Sequence, residues 1–134
     1  MKQLDGRTMV AGQIAVEEVA ELGRDGVTMI VNNRPDGEDA GQPTSAEMQA
    51  AADAAGLAYR HVPIARGIGP SDIEAMQAAM RDVGDGQMVA YCRSGMRSAL
   101  AWALARRAEG DPRETIEAAA ERAGIDLAPI AHLL

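Results

Sequence analysis

One segment limits the possible folds more than any other: Val27-Thr28-Met29-Ile30-Val31-Asn32 is a nearly continuous apolar run of β-favouring residues, with Gly26 before it and turn-forming residues after it. A strand with one solvated face alternates apolar and polar residues, whereas an unbroken run needs cover on both faces. This strand therefore belongs in the middle of a sheet, with helices above and below. Thr8–Gly12, Leu57–Ile64 and Gln87–Cys92 read as its companions. Helical segments separate them. Ala15–Gly23 carries Val16, Val19, Ala20 and Leu22 at three- and four-residue spacing, and Ala46–Ala55 is opened by a Thr44/Glu47 capping box and closed by Gly56. A third helix, capped by Ser71 or Asp72, runs to about Val83; Ser98–Glu109 and Arg113–Gly124 follow, and an apolar tail, Ile125–Leu134, ends the chain. Strands alternating with helices of this length predict an α/β three-layer sandwich, a mostly parallel central sheet with helices on both faces.

The 134 residues, 47% hydrophobic and 25% charged, suit a single domain covering the whole chain. Acids outnumber bases 20 to 13, for a net charge of −7 and a pI near 4.7, the wrong sign for gripping a nucleic-acid backbone or an anionic membrane. Aromatics make up 2% with no Phe, so no platform exists for stacking bases. Ala, Val, Ile, Leu and Met must fill the core, and Met76, Met80 and Met88, with Trp102, read as packing residues. No apolar run approaches the ~20 residues that span a bilayer, and the N-terminus lacks the pattern of a signal peptide, so a cytoplasmic location is expected. With one cysteine, Cys92, and two histidines, no internal disulfide or zinc motif can be drawn, and no metal or cofactor is expected. His61 reads as a structural histidine within a strand, and His132 as a surface residue.

Ligands of such sheets gather at the carboxyl ends of the strands, where loops lead into helix N-termini. Three loops qualify, after Asn32, Ile64 and Cys92. In the third, Cys92 ends a strand, Arg93-Ser94-Gly95-Met96-Arg97 follows, and a helix begins at once. Such a turn can curl its backbone N–H groups into an anion cradle, with Gly95 giving conformational freedom and the helix dipole adding partial positive charge. A thiol at its floor ionises more easily than the usual ~8.5. Lone cysteines more often pack as small hydrophobes. Two arginines and a glycine within five positions are nevertheless a composition that an apolar core does not accept. The fork of Arg97 suits two oxyanion oxygens, while Arg93 points either at the ligand or at solvent.

The run Tyr91-Cys92-Arg93-Ser94-Gly95-Met96-Arg97-Ser98-Ala99 resembles the active-site loop of cysteine-dependent phosphatases and rhodaneses. Taken with Val31-Asn32-Asn33-Arg34-Pro35-Asp36-Gly37-Glu38 and Gly41-Gln42-Pro43, the chain is similar, from Gln13 to about Ala108, to the phosphatase-like domain family of beta-lactamase hydrolase-like proteins. The resemblance implies a fold like that of dual-specificity phosphatases, with Cys92 as nucleophile and Arg97 as the signature arginine. It further implies that the backbone amides of Arg93 to Arg97 hold the oxyanion, with Arg93, Ser94, Gly95, Met96 and Ser98 around the substrate. Two features depart from the phosphatase pattern. Four residues rather than five separate Cys92 from Arg97, which is the rhodanese-like count, and Tyr91 stands where phosphatases usually carry histidine.

A phosphatase also needs an acid to protonate the leaving alkoxide. Asp36 is the better-placed candidate on topology, although Pro35-Asp36-Gly37 is equally a turn signal; Asp72 sits where a helix cap is expected. Arg34 either leans over the anion site or pairs with Asp36, Glu38 or Asp39 on the surface. The leading expectation is hydrolysis of a phosphomonoester through a phosphocysteine, on a small anionic substrate or a phosphorylated protein. The alternative is sulfur transfer through a Cys92 persulfide, which requires no acid and fits the short loop. A non-enzymatic anion-sensing or protein-binding module is a third class.

Overall fold

The computed structural model describes residues 1–134. Its single sheet has the order β1-β2-β5-β3-β4, formed by β1 Lys2–Gln3, β2 Thr8–Ala11, β3 Met29–Asn32, β4 Ala58–His61 and β5 Met88–Tyr91. β1 runs antiparallel to β2, and the remaining neighbours are parallel. All residues of β3 and β5 are buried, as an unbroken apolar run requires. The pleat sends Met29, Val31, Met88 and Ala90 into one core and Ile30, Val89 and Tyr91 into another. Helices α1 (Val16–Arg24) and α2 (Ser45–Ala55) cover the second core, while α3 (Pro70–Val83), α4 (Met96–Ala108) and α5 (Arg113–Arg122) cover the first. This is the expected three-layer α/β sandwich. No helix is long and apolar enough to cross a membrane.

Local chemistry explains most of the element ends. The Thr44 hydroxyl accepts from Glu47 N at 3.1 Å and Glu47 Oε1 accepts from Thr44 N at 3.3 Å, the reciprocal pair that opens α2. Met76 and Met88 are wholly buried, and Trp102 packs in the core while its indole N–H donates to Asp5 Oδ2 at 2.9 Å. Four boundaries differ from the sequence reading. β1 was not anticipated, because two residues give no periodicity. β4 is shorter than Leu57–Ile64. α3 starts at Pro70 with Gly69 as its cap, and Asp72 Oδ2 accepts from Gly69 N at 2.9 Å; Asp72 is thus committed to the helix start. α4 starts at Met96, two residues before Ser98, because Gly95 turns the chain with φ +95°. The tail closes in a 3-10 helix, Ala128–Leu133.

Candidate active site

The parallel register brings Ala11, Asn32, His61 and Tyr91 to one level, so the loops that follow them converge at one end of the sheet. Cys92 leaves β5 at the centre of that end. Its loop is pressed against the end of β2: a Cβ on Gly95 would stand 3.3 Å from both C and O of Ala11, and one on Gly12 would stand 3.1 Å from Arg93 O. Gly95 is therefore required by its left-handed conformation and by close approach together. Gln13 N donates to Arg93 O at 3.3 Å and fixes the outer side of the loop.

The Cys92 sulfur is fully buried, yet peptide nitrogens face it: Gly95 N donates to Sγ at 3.1 Å. Burial by itself pushes the thiol pKa up. The backbone amides of Ser98, Gly95 and Ser94, joined by the Ser98 hydroxyl, outweigh burial and hold it below its ordinary value. Of the expected donors Arg93 to Arg97, the amides of Ser94 and Gly95 face the sulfur, and Ser98, outside that range, adds a third. Asn33, itself fully buried, orients that serine: Ser98 Oγ donates to Asn33 Oδ1 at 2.7 Å, and Asn33 Nδ2 donates to Val62 O at 3.0 Å. The Ser98 hydroxyl has one proton and two acceptors, Asn33 Oδ1 and the sulfur, and a thiolate draws it toward sulfur.

Arg97 is held from two sides. Its Nη1 donates to Glu38 Oε2 at 2.8 Å and to Ile64 O at 2.7 Å, and its Nη2 donates to Glu38 Oε1 at 2.9 Å. A guanidinium carries five N–H donors, so these contacts leave free Nε–H and the second Nη2 proton, which together make one bidentate edge for an oxyanion. Arg97 foremost, then Arg34, holds the Glu38 carboxyl at about 2 against the opposing effect of burial. Glu38 is therefore ionised throughout the neutral range.

Arg34 is the hub behind this pair. Its side chain is 3% exposed. Nε donates to Glu38 Oε1 at 2.8 Å, Nη1 donates to Gln13 Oε1 at 2.9 Å, and Nη2 donates to Asp39 Oδ2. Of the two sequence readings, ion pairing with Glu38 and Asp39 is realised, with the guanidinium buried and both carboxylates reaching the surface. Arg34 reaches the Cys92 loop through Glu38. His61 Nε2 lies 2.8 Å from Arg34 O, in keeping with a structural role. Arg93 is 69% exposed and pairs with Asp39 at 3.3 Å.

Asp36 takes up its turn position: Oδ1 accepts from Ser45 N at 2.7 Å at the start of α2. Neither Asp36 nor Asp72 is hydrogen-bonded to the Cys92 loop. Met96 is 37% exposed. It lines a hollow of about 210 Å³ with Lys2, Ser94, Gly95 and Ile125. Three residues of the site escaped the sequence reading as site residues. Glu38 lies one helical-type step, four positions, after Arg34; Asn33 belongs to a polar Asn32-Asn33 pair ending a buried strand; Gln13 left no signal.

Two expected outcomes follow from this network. Arg34→Ala removes the buried guanidinium that pairs with two partly exposed carboxylates and should cost about 2 kcal/mol, lowering Tm by about 6 °C in a melting curve. The Glu38 carboxyl is held below its unfolded value, so it stabilises the fold above the ordinary carboxylate range. That contribution is lost as pH falls from about 4.5 toward about 2. Denaturant titrations of wild type and Glu38→Gln across this window should converge at the acid end.

Comparison with known proteins agrees with this geometry. Residues 1–109 match the family profile described as beta-lactamase hydrolase-like protein, phosphatase-like domain. The chain is 37% identical over 126 residues to the beta-lactamase hydrolase-like protein of Xylella fastidiosa, with 92% of this chain and 29% of that protein aligned. The corresponding protein of Agrobacterium fabrum is 33% identical over 130 residues, again covering 29% of its length. The chain thus spans under a third of these relatives. Among solved structures, a candidate phosphatase from Neisseria meningitidis superposes with a TM-score of 0.79 at 30% identity, covering 98% of this chain and 94% of that one. Human DUSP28 shares the fold at 20% identity, with a TM-score of 0.68 and coverage of 96% and 88%. With the profile match running from β1 to the end of α4 and including the cysteine loop, the chain belongs to the phosphatase-like domain family of beta-lactamase hydrolase-like proteins.

Proposed function

We propose that the chain is a cysteine-dependent hydrolase of phosphomonoesters, with Cys92 as nucleophile. The observation that carries this reading is the buried sulfur facing the amides of Ser94, Gly95 and Ser98, with one bidentate edge of Arg97 left open beside it. The thiolate attacks phosphorus, the ester P–O bond breaks, and the leaving oxygen departs with its electron pair. Water then attacks the phosphocysteine, releasing orthophosphate and restoring the thiolate. Loop amides and Arg97 bind the charge that builds on the equatorial oxygens. Arg93, Ser94, Gly95, Met96 and Ser98 surround the substrate, and Arg34 supports it through Glu38. Asp36 and Asp72 are engaged at helix starts, so the leaving group takes its proton from water. Aryl phosphates, whose phenolates leave without prior protonation, are then better substrates than alkyl phosphates.

The same absence of a poised acid, with the four-residue loop, favours a second reading, sulfur transfer. There the Cys92 thiolate takes the outer sulfur of thiosulfate, the S–S bond breaks, sulfite leaves, and the persulfide passes its sulfur to a thiol. Intact-mass analysis separates the two readings. Protein is incubated with 4-nitrophenyl phosphate or with thiosulfate, alongside Cys92→Ser. Phosphate release that vanishes in the variant supports hydrolysis. A one-sulfur adduct without any phosphate release overturns it in favour of sulfur transfer.

A further inference from the structure

The charges at the mouth of the site nearly cancel. Three guanidiniums, Arg34, Arg93 and Arg97, are matched by the carboxylates of Glu38 and Asp39 and by the Cys92 thiolate. A doubly charged anion entering such a site is held by amides and one open guanidinium edge, with no surplus cation to balance it. A further cation stands on the next loop. Residues 62–69 follow β4 at the same end of the sheet, and Ile64 O accepts Arg97 Nη1 at 2.7 Å. Arg66 lies two residues beyond that contact, is exposed, and forms no ion pair or hydrogen bond with the protein. Consecutive Cα atoms are about 3.8 Å apart, so the Arg66 Cα stands within about 8 Å of the Cα of Ile64, whose carbonyl holds Arg97, and an extended arginine reaches ~6–7 Å beyond its own Cα. Gly67, in the left-handed conformation with φ +65°, and Gly69 follow it. Arg60, Arg81 and Arg106, by contrast, are each fixed on a carboxylate.

From this juxtaposition we propose that Arg66 is a specificity-determining residue that binds a second negative group on the substrate, one spacer's length from the group seated on the Cys92 loop. The proposal rests on the anion-binding reading of that loop and narrows it to substrates carrying two anionic groups. Such a ligand spans Arg97 and Arg66, and its distal charge meets a cation with no competing carboxylate. The contact is solvent-exposed, so its effect is moderate and screened by salt.

The test compares two ligands that differ in the distal charge, phenyl phosphate and 4-carboxyphenyl phosphate. Their dissociation constants are measured by calorimetry on Cys92→Ser protein at low and at 0.5 M salt, so the result does not depend on turnover. The background protein is expected to prefer the carboxylated ligand about two- to fivefold at low salt. Adding Arg66→Gln should bring the ratio to about one, and Arg66→Lys should restore part of it. Arg24→Gln removes the same unit of charge from the exposed C-terminal end of α1 and should leave the ratio in place. A ratio unchanged by Arg66→Gln, or lowered equally by Arg24→Gln, overturns the assignment. Failure of the hydrolysis reading shows separately, as binding of both ligands by the Cys92→Ser protein without phosphate release by wild type.

Discussion

Cys92→Ser protein is expected to fold and to lose group transfer by roughly 10⁴-fold or more, the scale seen when a nucleophile is removed. The substitution swaps sulfur for oxygen in a fully buried position, so packing is kept while the nucleophile changes its acidity. Loop amides that bring a thiol below its ordinary range cannot ionise an alcohol at neutral pH. Initial rates with 4-nitrophenyl phosphate and sulfite release from thiosulfate, measured beside circular dichroism melts, check the expectation. A rate within tenfold of wild type would place the nucleophile elsewhere. In wild type, activity should fall as pH drops through the folded thiol pKa, and that limb should lie on the acid side of the ordinary thiol value of about 8.5. The sign holds for stability as well. A depressed thiol stabilises the fold at pH above the unfolded value, and that contribution disappears as pH falls through the folded one.

Arg97→Lys should lower kcat/KM by about 10²–10³-fold, although the charge is conserved. Glu38 and Ile64 O together use three of the five donors of Arg97 and fix the plane of its guanidinium. What is left is a two-pronged edge, and an ammonium has no such edge. Lysine would keep an ion pair with Glu38 and present at most one donor to the ligand. The size of the loss distinguishes bidentate recognition from simple charge attraction, for which the change would be only a fewfold. Guanidinium added to Arg97→Ala protein should recover part of the lost rate, because the wall formed by Glu38 and Ile64 remains to receive it. Absence of recovery at concentrations that leave wild type folded would argue that Arg97 acts through loop structure.

The sheet and its layers were legible in the sequence because the signals are local. The unbroken run at Val27–Asn32, the Thr44/Glu47 capping box and the glycine punctuation each follow from a few neighbouring residues. The make-up of the Cys92 loop was legible for the same reason, since thiol, glycine and arginines are consecutive. β1 was not, for two residues acquire strand geometry only by pairing with β2. The early start of α4 was equally hidden, because the contact of Gly95 with Ala11 is made across eighty-odd residues of chain.

Arg34, Asp36 and Glu38 show where sequence reasoning stops. Composition allowed Arg34 to face either the ligand or a nearby carboxylate, and it allowed Asp36 to be either an acid or a turn residue. Folding set Ser45 N against Asp36 and closed Glu38 between two arginines. By itself the sequence determined which residues could ionise, where the chain must turn, and that Val27–Asn32 lies inside the sheet rather than at its edge, although β5, not β3, takes the middle position. The tertiary structure alone decided which charges meet, because electrostatic partnership depends on distances between loops that no local pattern encodes.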